Sequence, residues 1–166
     1  MNKSFTFLLV LFTSLNTSNK YSAQNCPPPE DVSSRTISLY EKATEKKKKR
    51  TTDERIDMLK EVVDRQDDFG AAYESLVKLL FKKAKRNKEF CSECRSAIDN
   101  WTELCGDKPV AHYMLGALAF ISGDANIAVI EFEEFIIQTD EEAKAGTLTS
   151  STARKRREVL EMIPVV

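Results

Sequence analysis

Glycine and proline are scarce in this chain, five of each among 166 residues. A sandwich or barrel of this length needs many tight turns, and those two residues supply them, so an all-β fold is disfavoured at the start. No segment alternates polar and apolar residues for long enough to argue a strand. Excess charge of one sign is also missing. The 25 basic and 26 acidic residues leave a formal −1, which gives no reason to expect nucleic acid or a charged membrane surface as a partner. There is one histidine, His112, and no Ser, Cys or Asp motif adjoins it to make a catalytic base. Nothing in this inventory implies a cofactor, a metal or an enzymatic reaction.

What the chain does have is Lys-, Glu-, Leu- and Ala-rich sequence, 42% apolar and 31% charged, the composition of one solvated helical domain. Its N-terminus is a separate object. Lys3 precedes the apolar run "FTFLLVLF", Phe5 to Phe12, and a polar stretch follows as far as "YSAQ". A basic start, a short apolar core and a small residue before polar sequence describe a secretory signal, here residues 1–23 with cleavage after Ala23. The apolar core is far too short to span a bilayer. Beyond it, residues 24–32 form an extended lead-in stiffened by three prolines, and all four cysteines enter a compartment that permits disulfides.

Helical patterns then follow one another. The first covers Ser34 to Lys48, with Ile37, Tyr40 and Ala43 on one side. Thr51 and Glu54 are spaced as a capping box for a second helix whose Ile56, Leu59, Val62 and Val63 face inward, and "DDFG" ends it. A third runs from Ala71 to Lys85 on a stripe of Tyr73, Leu76, Val77, Leu80 and Phe81. A fourth runs from Lys88 to Cys105, with Gly106 as its cap. Pro109 sits in the first turn of a fifth, which ends at Gly123. Asp124 caps a sixth that reaches Thr139, "AGTLTSS" is a loop, and a last helix spans Thr152 to Met162 before Pro164.

These helices fall into pairs joined by tight turns, and the pairs repeat at roughly 34 to 40 residues. Ala71-Ala72-Tyr73 and Ala111-His112-Tyr113 open equivalent helices. The sharpest pair is "AHYMLGALAFISGDANIAVIEFEEF", Ala111 to Phe135. Its Leu115-Gly116, Ala119-Phe120, Ala128, Phe132 and Phe135 follow tetratricopeptide spacing: small residues where two helix axes approach, large ones between them. Glycine inside a helix costs about 1 kcal/mol against alanine, so close packing has to compensate at Gly116. The expected architecture is all-α, a right-handed stack of about three tetratricopeptide-like pairs over residues 33–143 with a capping helix over residues 150–163.

Through that register, and through "AQNC", "SLYEKATEKKKKRTTDERIDMLKEVVDRQDDFGAAYESL" and "REVLEMIPVV", the chain from Gln24 to Val166 resembles the tetratricopeptide-repeat N-terminal module of secreted Bacteroidota envelope proteins. In that group a PD40 β-propeller and an OmpA-like peptidoglycan-binding domain follow the repeats, and some members serve type IX secretion and gliding. The resemblance implies a periplasmic scaffold of the cell envelope, associated with the outer membrane, that holds a protein partner and performs no catalysis. The same module at the head of a longer propeller-containing protein is the alternative. Peptidoglycan binding is not implied, because this sequence contains no OmpA-like domain. In tetratricopeptide arrays the first helix of each pair lines the concave face. Carried over, that face comprises Tyr73, Val77, Leu80, Tyr113, Ala117 and Phe120, against the competing reading that neighbouring helices bury several of them.

Cys91-Ser-Glu-Cys94 is the one chemically suggestive motif. A thiol–disulfide oxidoreductase would set it in a βαβ unit, and a zinc site would add a second such pair or two histidines; neither is found. Structural disulfides are the simpler reading. On a continuous helix Cys94 and Cys105 stand about 16 Å apart, too far to bridge, and Cys91 is farther still. In an antiparallel stack the lead-in and the end of the fourth helix lie at the same end, which pairs Cys26 with Cys105 and leaves Cys91 to pair with Cys94. The basic runs "EKKKKR" and "ARKRRE" carry no interleaved aromatics and read as solvated helix ends.

Overall fold

The computed structural model describes Cys26, residues 29–45 and residues 49–162. The expected secretion signal with its cleavage site, residues 46–48 of the basic run, and Pro164 lie outside them. Among the described residues the chain is all-α: α1 (Ser34–Thr44), α2 (Thr52–Arg65), α3 (Gly70–Ala84), α4 (Cys91–Cys105), α5 (Pro109–Ser122), α6 (Ala125–Lys144) and α7 (Ser150–Met162), with a 3-10 turn at Lys88–Phe90. None of these helices is long and apolar enough to cross a membrane.

Local chemistry sets most of the boundaries. Thr51 Oγ1 accepts the Glu54 N–H at 3.1 Å while the Thr51 N–H donates to Glu54 Oε2 at 2.7 Å, closing the capping box of α2. The Thr51 N–H first, and then the Thr51 hydroxyl, which donates to Glu54 Oε2 at 3.0 Å, hold the Glu54 carboxyl below its ordinary value. Helix α1 stops at Thr44, short of the expected Lys48. Arg50 Nη1 donates to the Lys42 carbonyl at 3.0 Å and Arg55 Nε to the Ala43 carbonyl at 2.6 Å, so arginines from the next segment satisfy carbonyls that another turn would have used. Helix α6 runs past the expected Thr139 to Lys144, because Asp140, Glu141, Glu142 and Ala143 offer no helix-breaking residue and Gly146 lies beyond them. Helix α7 starts at Ser150 because the Thr149 hydroxyl accepts the Thr152 N–H at 3.2 Å.

The turn at Ser-Gly-Asp joins α5 to α6. Gly123 adopts φ +88°, its N–H donates to the Phe120 carbonyl at 3.1 Å, and the Asp124 N–H donates to the Ala119 carbonyl at 2.9 Å. This is a Schellman termination, which needs the left-handed backbone that glycine adopts without strain. Asp124 then turns its side chain onto the Ile127 N–H at 3.2 Å and opens α6. One residue stops the first helix and the next starts the second.

Consecutive helices pack on one another throughout, and contact within α1–α2, α3–α4 and α5–α6 is more extensive than contact between these pairs. Helices α5 and α6 run antiparallel, since Asp107 meets Gln138, His112 meets Glu131 and Tyr113 meets Phe132. A large core joins α1 through α5 around Phe69, Leu59, Leu80 and Ile98; a smaller one joins Ala119, Ala128, Phe132, Phe135 and Val159. Tyr113 and Ala117 pack against both.

A disulfide joins Cys26 to Cys105 across a sequence separation of 79 residues. The lead-in is brought there by the α2–α3 turn: Asp68 Oδ2 accepts the Glu30 N–H at 3.0 Å, and Gln66 Nε2 donates to the Glu30 carbonyl at 3.0 Å. Gly70 makes room. A Cβ at that position would stand 2.6 Å from Cys26 Sγ and 2.8 Å from Cys105 Sγ.

Candidate functional site

The six residues expected on a concave face have separate environments. Val77 and Leu80 are each 1% exposed and belong to the main core, so they are not available to a partner; α4 packs against α3 and the stripe at Leu76, Val77, Leu80 and Phe81 is turned inward. Tyr73 is half-buried, and burial raises its hydroxyl pKa above the ordinary value, with Asp67 and Asp64 adding to the effect. Tyr113 is half-buried between cores, its ring 5.5 Å from that of Phe135 and 6.3 Å from that of Phe81. Its hydroxyl donates to Glu158 Oε2 at 3.3 Å, so α7 lies over it, and burial followed by Glu158 raises its pKa. Ala117 is half-buried beside it. Only Phe120, 62% exposed near the end of α5, presents its ring to solvent.

Among the clefts of the described residues, one of about 290 Å³ is lined by Glu74, Trp101, Lys108, Val110, Glu142 and Thr152, where α3, α4 and α5 meet α6 and α7, and Tyr73 lines another of about 450 Å³ with Asp67, Asp68, Asn100, Glu103 and Leu104. The first combines a buried indole, an ammonium, carboxylates and a hydroxyl. Lys108 Nζ donates to the Cys105 carbonyl at 3.1 Å and lies 5.8 Å from the Trp101 ring centroid, so this cation is anchored at the cleft.

The expected bridge between Cys91 and Cys94 does not form. Both are free thiols, buried in the main core on the inner side of α4. Burial pushes the Cys94 thiol up to about 12, with Cys91 and Glu93 contributing in the same direction. Oxidation and disulfide exchange both start from the thiolate, so this environment disfavours both at Cys94. The motif is core packing.

His112 has polar company that adjacency in sequence did not reveal. It sits in the second turn of α5, its ring 17% exposed. Nε2 lies 2.9 Å from Asp107 Oδ2 in the segment before the helix, and Nδ1 lies 2.8 Å from Glu131 Oε2 on α6. Gln138 Nε2 then bridges Asp107 Oδ2, at 2.8 Å, to Glu134 Oε1, at 3.0 Å. Burial by itself lowers the His112 pKa, but the hydrogen bonds and charges of Asp107 and Glu131 outweigh it and the net shift is upward. Burial acts to raise the Asp107 carboxyl, and the bonds from His112, Gln138 and Lys108 overcome that and lower it. A helix periodicity cannot show this group, because Asp107 lies off the helix and the other partners are nineteen or more residues away.

Compared with known proteins, the chain matches no described family, no curated protein and no solved structure.

Proposed function

We propose that this chain is an exported, tetratricopeptide-like scaffold that holds a protein partner in the cell envelope and has no reaction of its own. The observation that carries the reading is the close approach of Gly116 to Phe132, the contact that tetratricopeptide spacing demands of a first and a second helix. Three helix pairs with denser contact inside each pair than between pairs support a repeat stack closed by α7. The Cys26–Cys105 disulfide supports passage through an oxidising compartment such as the periplasm.

The partner-binding surface is narrower than six residues. It comprises Phe120 and the cleft at Lys108 and Val110, with Trp101, itself part of the core, lining that cleft. Val77 and Leu80 are left to the core. An extended peptide suits such a cleft, where an aromatic and a cation stand beside hydroxyl and carboxylate groups. Attachment to type IX secretion or gliding machinery rests on the sequence resemblance.

The test is site-specific photocrosslinking from position 120 and from position 110 in cells, followed by mass spectrometry of the adduct. A single protein captured from both positions, and lost with Lys108→Glu, supports the scaffold. Adducts that scatter over abundant proteins and ignore Lys108→Glu rule it out. Fractionation with a non-reducing gel decides the compartment: a reduced, cytoplasmic pool would end the export reading.

A further inference from the structure

We propose that Asp107, His112 and Glu134 form a binding site for one divalent transition-metal ion, best matched by Zn²⁺, between the start of α5 and the middle of α6. One ligand atom from each residue lies within 4.8 Å of the others. An imidazole nitrogen with two carboxylate oxygens is a ligand set that zinc accepts, with bonds of about 2.0–2.2 Å. Ligand atoms around such an ion stand about 3.4 Å apart, so the groups need to close by little more than an ångström.

Glu131 is the second observation. It is outside the ligand set, and its carboxylate holds Nδ1 at 2.8 Å, which leaves Nε2, 2.9 Å from Asp107 Oδ2, as the nitrogen turned to the ligand set. A carboxylate on the far nitrogen of a ligating histidine fixes the ring and strengthens the nitrogen that binds. Gln138 adds to this. Its amide nitrogen spans Asp107 and Glu134, so its donor protons occupy the space between the two carboxylates. Turning the amide would offer its oxygen as a fourth ligand; water would serve equally. The simpler account is a hydrogen-bonded ion-pair cluster in which the proton on Nε2 does what the metal would do. The two accounts differ in what happens when zinc is added.

Asp107 is exposed and provides the way in, while His112 and Glu134 are half-buried. Asp107 also lies two residues after Cys105. A bound ion would hold the 106–108 linker to α6 from one side while the disulfide holds it from the other. The site stands independently of the scaffold reading.

His112 is the sole histidine, so its ring resonances identify themselves in the NMR spectrum of the full chain. The experiment uses disulfide-intact, tag-free, chelator-treated protein titrated with ZnCl₂ and followed by calorimetry and by the imidazole signals. Expected are one equivalent bound, a shift of both ring signals, and a loss of affinity of about tenfold or more for Asp107→Asn and for Glu134→Gln. These two near-isosteric changes carry the test if His112→Ala fails to fold. Ring signals unmoved by excess zinc, or affinity unchanged in both variants, would overturn the site. So would thiolate-to-metal absorption on adding Co²⁺, which would place the ion at Cys91 and Cys94 instead.

Discussion

The ring of Phe132 lies against the bare α-carbon of Gly116. A Cβ built there would stand 2.6 Å from Phe132 Cδ1 and 2.7 Å from Cε1, closer than real Cβ atoms come. The ring is itself 3% exposed and has little room to withdraw. Helix propensity alone would reward Gly116→Ala by about 1 kcal/mol. The contact is expected to reverse that sign, and Gly116→Leu is expected to destabilise by about 1–3 kcal/mol or more. Phe132→Ala should cost about 3–5 kcal/mol. Urea melts of the single variants and of Gly116→Ala with Phe132→Leu give the coupling; strict additivity would show that the two residues do not feel each other.

Gly70 plays the same part for the disulfide, and nothing in the helical periodicity announces it. With Cys26 Sγ 2.6 Å from a Cβ at this position, Gly70→Ala should displace the lead-in and make Cys26–Cys105 easier to reduce. The bridge closes a loop with a sequence separation of 79 residues, for which chain entropy predicts about 4.5 kcal/mol of stabilisation. Denaturation with and without reductant should show a drop of that order in the wild type. A midpoint that ignores reductant would mean that the bridge contributes nothing.

Cys94 should be chemically silent in the folded protein. With its thiol at about 12, roughly one molecule in ten thousand carries the thiolate at pH 8, and the sulfur is fully buried. Alkylation at pH 8 should therefore leave Cys94 unmodified in native protein and label it in urea. Peptide mapping reads this directly. Rapid native labelling at Cys94 would restore the redox reading that the burial argues against.

How far the sequence reaches depends on whether a residue's partner is local. Thr51 with Glu54, Gly123 with Asp124, and the stripe Ile56, Leu59, Val62 and Val63 are all legible because spacing within one helix or one turn carries the information. The end of α1 is not legible, because its carbonyls are taken by Arg50 and Arg55, which no periodicity relates to it. Phe69 reads as part of a breaker in "DDFG", yet it is fully buried with its ring 4.8 Å from that of Tyr40. Val77 and Leu80 have the spacing of an inward stripe as much as of a concave face, and only the position of α4 decides between them. The grouping of His112 with Asp107, Glu131 and Glu134 depends on the fold of the α5–α6 pair as a whole.

Tyr113 and Phe120 lie seven residues apart on α5 and should answer differently when truncated. Tyr113 touches the rings of Phe81, Phe132 and Phe135 and packs against both cores. Its loss to alanine should therefore cost well over ~1 kcal/mol, approaching the ~3–5 kcal/mol of a fully buried aromatic. Tyr113→Phe removes only the partly exposed bond to Glu158 and should cost within about 1 kcal/mol. Phe120, 62% exposed, should tolerate alanine within about 0.5 kcal/mol. A fall in partner capture with Phe120→Ala can then be read as lost contact, whereas the same fall with Tyr113→Ala cannot be separated from lost folding. Thermal melts of the three variants check the ranking. A Phe120→Ala protein as unstable as Tyr113→Ala would show that this exposed ring serves the fold and would remove it from the binding surface.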